Sequence, residues 1–90
     1  MRRAARVDAN QPSIVQALRA AGATVTPTHT VGQGFPDLVV GFRGRTVLLE
    51  VKLPHAGLTD DEAQWHAQWR GEAYIVHDVD EALRALGAIE

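Results

Sequence analysis

The sequence predicts an α/β fold: a mixed four-stranded sheet flanked by helices, in the order helix, three strands, helix, strand, helix. Three observations carry this. Apolar residues recur at helical spacing near both ends of the chain, at Ile14, Val15, Leu18 and Ala21 and again at Ala82, Leu83 and Leu86. Two apolar runs, 37–42 and 46–53, flank Arg43-Gly44-Arg45, a tight turn with a glycine inside it, and must pair antiparallel. A helical stretch then leads to a fourth run, 73–77, and a strand–helix–strand connection of that length joins parallel neighbours.

Each element has its own local signals. Asn10 can cap the first helix, Pro12 is tolerated in its first turn, and Gly22 ends it. Residues 23–28 are β-branched, and Pro27 marks an edge strand or an early end. Residues 29–36 form a loop with Gly32 and Gly34. The run 46–53 is almost continuously apolar, as a central buried strand should be. Thr59-Asp60-Asp61-Glu62 is a capping box opening a helix to about Trp69, with Gly71 closing it. Asp78-Val79-Asp80-Glu81 opens the last helix in the same way.

Ninety residues make one domain, 1–90, with a basic arm over 1–9. Domains this small often gain stability from a partner copy, so a homodimer is expected. The absence of cysteine excludes disulfides, thiolate metal sites and cysteine nucleophiles, so any metal must sit on oxygen or imidazole. No apolar run reaches the length of a membrane span, and the basic start lacks the apolar stretch of a signal peptide. A soluble, cytoplasmic protein with no membrane association is expected. The net charge of −2 is unevenly spread. Residues 1–55 carry seven Arg and Lys against three acids, and residues 56–90 carry two against eight. Phosphate contacts depend on where charge lies, so nucleic acid stays open as a partner, beside ordinary surface variation.

The chemistry lies on the central hairpin. Glu50 and Lys52 are two apart on one strand and therefore share a face. Two charges among Val and Leu are costly unless they pair or bind something. Asp37 and Glu50 each lie six residues from the Arg43-Gly44 turn, so a tight register sets them opposite one another. Facing carboxylates repel, and a divalent cation between them removes the repulsion. Oxygen ligands with open water positions suit Mg²⁺ or Mn²⁺, and Lys52 beside such an ion suits phosphate chemistry. The alternative is a buried Lys–Glu salt bridge with Asp37 serving only to cap a turn.

Pro36-Asp37, twelve residues, then Glu50-Val51-Lys52 resembles the motif of the PD-(D/E)XK nuclease superfamily. The closer likeness is to small VRR-NUC-like proteins and phage-type Holliday-junction resolvases. It runs over about residues 8–87 and includes Gly-Phe-Pro-Asp-Leu-Val-Val-Gly, Leu-Glu-Val-Lys and Leu-Thr-Asp-Asp-Glu. The resemblance implies a restriction-endonuclease-like αβββαβ(α) core in a bacterial or phage-infected cell. It implies Asp37, Glu50 and the Val51 carbonyl as metal ligands, Lys52 as the catalytic lysine, and Gln64 as the glutamine following it on the next helix. Many members add an acid from the first helix. Here Gln11 stands in that region, with Asp8 just before it.

Other residues are read both ways. Gly34, with Gly32, could present amides to a phosphate or simply make a loop. Arg2, Arg3 and Arg6 could reach DNA as an arm, and Arg43 and Arg45 could contact phosphate from the turn. Trp65 and Trp69 could stack on bases, but core packing or a dimer contact is the commoner use. Glu62 reads as a cap. The expected activity is metal-dependent hydrolysis of DNA phosphodiesters, selective for branched DNA. The alternatives are a flap, nick or sequence-directed nuclease, or an inactive DNA-binding module.

Overall fold

The computed structural model describes residues 8–90. The expected arm residues Arg2, Arg3 and Arg6 lie outside this range. Of the arm expected over 1–9, Asp8 is tied to the start of α1, since its carbonyl accepts the Gln11 amide.

Seven elements follow in the expected order: α1 (Gln11–Ala20), β1 (Thr24–Pro27), β2 (Leu38–Phe42), β3 (Arg45–Val51), α2 (Asp60–Gln68), β4 (Ala73–Val76) and α3 (Val79–Leu86). The sheet order is β1-β2-β3-β4, antiparallel except for the parallel β3–β4 pair. Pro27 sits on the edge strand β1, where its missing N–H is tolerated. Arg43 and Gly44 make a two-residue turn with φ of 50° and 81°, the positive values a tight hairpin needs. The pairs Phe42↔Arg45 and Leu38↔Leu49 keep the expected register to the far end of the hairpin.

One face of the sheet carries the core. Val40, Val47, Leu49, Val51 and Val76 point to it and meet Ile14 and Leu18 of α1 and Ala82 and Leu86 of α3. Gly22, at φ 100°, ends the first helix with the Ala23 amide returning to the Leu18 carbonyl. The other face is covered only in part: α2 lies over Glu50 and Lys52, the loop before β2 packs on the start of α2, and Ile75 stays exposed; α2 contributes no fully buried residue.

Two expectations about helix ends are corrected. Asn10 makes no side-chain cap on α1. Its amide instead donates to the carbonyls of Lys52 (3.1 Å) and His77 (2.9 Å), tying the start of α1 across the ends of β3 and β4. Gly71 does not terminate α2; the helix ends at Gln68, and Trp69 after it is already extended. Gly71 is small because the Trp69 indole lies where its Cβ would be.

Candidate active site

Strand parity builds the site. Odd positions of β3 enter the core, so Glu50 and Lys52 emerge on the opposite face, beneath α2. The capping box of α2 forms as expected: Thr59 Oγ1 accepts the Glu62 amide, and Glu62 Oε1 accepts the Thr59 amide. This fixes the phase of α2. Glu62 and His66, four apart, face the strand together. Four residues of helix rise about 6 Å and two residues of strand about 6.6 Å, so the two elements match as a ladder. Glu62 Oε1 meets Lys52 Nζ at 2.6 Å, and His66 Nε2 stands 3.6 Å from Glu50 Oε1.

Asp37 closes the other side. Its Oδ2 accepts the Val51 amide at 2.8 Å, holding it beside Glu50. The structure thus joins Val51 to Asp37 through its N–H. Asp8 reaches the same group of charges from the segment before α1. Burial raises its pKa, Asp37 adds to the rise, and Lys52 opposes it. Between Asp8 and Gln11 the chain crosses the strand ends, from the face of the acids to the face of α1.

The electrostatics follow from enclosure. Glu50 is 1% exposed. Burial, then the hydrogen bond and charge of Asp37, push its carboxyl up to about 9, and Lys52 opposes them. Burial works against the charge of Lys52, but the hydrogen bond and charge of Glu62 outweigh it, and its pKa is raised. Burial also opposes ionisation of Glu62, and Lys52 with Thr59 reverses that and lowers its pKa. Burial lowers His66, with Glu62 pulling the other way.

The arrangement joins Asp37, Glu50, Val51 and Lys52 of the expected site. Gln64 is not among them. It is exposed beside Gln33, Asp61 and Gln68, because two residues from Glu62 is about 200° around the helix. Gln11 is buried with Ile14 and Leu18 on the core face rather than with the acids, and its Oε1 has no partner. Gly34 packs on the start of α2, where an added Cβ would lie 2.3 Å from the Asp61 carbonyl oxygen. That contact is a packing reason for glycine at this position. Arg43 and Arg45 lie at the turn, about 17 Å along β2 from Asp37. Arg45 is held by Glu72 and the Leu86 carbonyl, and Arg43 lies over the Phe42 ring. Trp65 and Trp69 stack on each other at 4.7 Å with Phe35 edge-on to Trp65, and Trp69 stays 42% exposed rather than entering the core.

Sequence reading missed Glu62 as the partner of Lys52 and His66 as the neighbour of Glu50. The capping box could have found both, since it fixes which residues of α2 face inward. Among the described residues, no three acidic or imidazole groups stand ready to hold an ion as they are. The donor chemistry nonetheless fits a divalent cation. Glu50 Oε1 is enclosed without a hydrogen-bond partner, beside the carboxylate of Asp37. No helix among the described residues is long and apolar enough to cross a membrane. No family model matches the chain, and neither a curated protein nor a solved structure matches it significantly.

Proposed function

We propose that this chain is a metal-dependent endonuclease that hydrolyses DNA phosphodiester bonds, acting on branched DNA as a homodimer. One observation carries the reading. An almost wholly buried carboxylate, Glu50, is set between Asp37 and Lys52 with one oxygen unpartnered, an arrangement that costs stability and serves no packing purpose. The choice of branched DNA and the dimer come from the resemblance of the motif.

Asp37 and Glu50 would hold Mg²⁺ or Mn²⁺. Bound there, the ion supplies positive charge against the phosphate and acidifies water. Asp37 is oriented by the Val51 amide, so its carboxylate is aimed rather than mobile. Lys52 is kept cationic by Glu62. That favours a role in neutralising charge developing on the phosphate over a role as proton acceptor.

The test is cleavage of labelled four-way junction, flap, duplex and single-stranded DNA in Mg²⁺, Mn²⁺ or EDTA, beside Lys52→Ala. Metal-dependent cutting of the junction, lost in the variant, is expected. Cutting spread over all substrates keeps the nuclease and removes the junction selectivity. Junction binding without any cutting favours the inactive binding module, a reading for which the closed Lys52–Glu62 pair speaks.

A further inference from the structure

Two buried atoms that can each donate a lone pair face one another across the gap between α2 and the sheet. Glu50 Oε1 and His66 Nε2 are 3.6 Å apart, both are enclosed, and neither has a hydrogen-bond partner. The distance is too long for an N–H···O bond. It is close to the spacing of two donors on one small cation: bonds of about 2.1 Å put neighbouring ligands about 3.0 Å apart in an octahedron and about 3.4 Å in a tetrahedron. Solvent does not satisfy the orphaned carboxylate oxygen, because Glu50 is 1% exposed.

His66 is not a chance neighbour. Its position is set by the capping box one turn earlier and by the Glu62–Lys52 contact, which together dock α2 in one phase on the strand. We infer that His66 Nε2 is a ligand to the cation held by Asp37 and Glu50, and that this nitrogen makes the site select an ion of the Co²⁺ or Zn²⁺ class over Mg²⁺. Mg²⁺ prefers oxygen ligands and retained water, whereas imidazole suits the later first-row ions. The ligand form of His66 is the neutral ring with its proton on Nδ1. The inference rests on the metal of the proposed nuclease and not on its substrate.

The test needs no DNA. Calorimetric titrations of the wild type, His66→Gln and Glu50→Gln with Mg²⁺, Mn²⁺ and Co²⁺ measure the preference directly. The wild type is expected to bind Co²⁺ at least about tenfold tighter than Mg²⁺. His66→Gln is expected to lose about 10–100-fold for Co²⁺ and less than about threefold for Mg²⁺. A second readout uses the wild type alone: in long-range ¹H–¹⁵N spectra, saturating Zn²⁺ should shift His66 Nε2 ahead of His29, His55 and His77. Unchanged Co²⁺ affinity in a folded His66→Gln, or a His66 resonance that stays put, overturns the inference. If Mg²⁺-dependent cutting survives alongside that result, the nuclease reading stands without it. If His66 binds the ion and nothing is cut, the inference stands and the nuclease reading falls.

Discussion

Lys52 Nζ and the carboxylate of Glu62 meet at 2.6 Å, and the oxygen that receives the lysine also accepts the Thr59 amide that starts α2. One atom therefore joins a helix cap to the charge centre on β3. Removing it acts on both. Glu62→Ala should lower stability by about 1–2 kcal/mol in urea denaturation, chiefly as a lost cap and a lost partly buried pair. Glu62→Gln retains an oxygen for Thr59 and should lose roughly half as much. Cleavage by Glu62→Ala should fall by about tenfold or more, because Lys52 is no longer held in place. Equal stability of the two variants would show that the cap contributes nothing.

Glu50 makes stability depend on pH. Its carboxyl is raised to about 9 from an ordinary 4.5, so the folded chain holds a proton that the unfolded chain has lost. The sign is fixed: this contribution is fully present below about 4.5 and is lost as the pH rises toward 9. In EDTA, stability should decline across that window by up to about 1.4 kcal/mol per pH unit from this one group. Glu50→Gln should flatten the decline and be more stable than wild type at pH 8, while losing cleavage. Denaturation midpoints from pH 5 to 9 check it, and parallel curves for both proteins would remove Glu50 as the cause.

Divalent ions should reverse the same penalty. An ion at about 100 times its dissociation constant stabilises by about 2.7 kcal/mol, which in a domain of this size raises Tm by roughly 10–20 °C. Asp37→Asn and Glu50→Gln should each lose most of that shift. Melting curves with Mn²⁺ and with EDTA measure it. A full shift retained in both variants would place the ion elsewhere.

Gly34 lies in the loop that packs on the start of α2. It holds φ 80° against the first turn of α2, with no room for a Cβ. Gly34→Ala should destabilise by about 1–3 kcal/mol and displace α2. Trp65, packed on Phe35 of the same loop, should report the shift in fluorescence. Unaltered emission with full activity would show that the loop moves aside at no cost.

The hairpin was legible in the sequence because two local rules agreed. Gly44 allows the turn, and alternation along both strands admits one register, so the opposition of Asp37 and Glu50 follows from the sequence. The central strand was legible from its apolar run, and the last helix from its cap. What escaped was decided by distant contacts. Asn10 carries every local sign of an N-cap, yet its amide goes to carbonyls 42 and 67 residues away. On α2, the residues facing the strand are polar, so no apolar stripe announces its phase, and the resemblance points to Gln64 although Glu62 and His66 hold the inward face. Asp8 reads as part of the basic arm because nothing local marks the turn that returns its charge toward Asp37.

Since α2 buries none of its residues fully, little apolar contact holds it to the sheet. Its amides should exchange with solvent through an opening far smaller than global unfolding, while those of β2 and β3 wait for the whole domain to come apart. In the opened form α1, α3 and the sheet keep their core, but Glu62 and His66 have left the strand. Any ligand of the site then sees only the fraction of molecules with the helix docked, and its apparent affinity scales with that fraction. The charges that build the chemistry also set how much of the protein is ready to perform it.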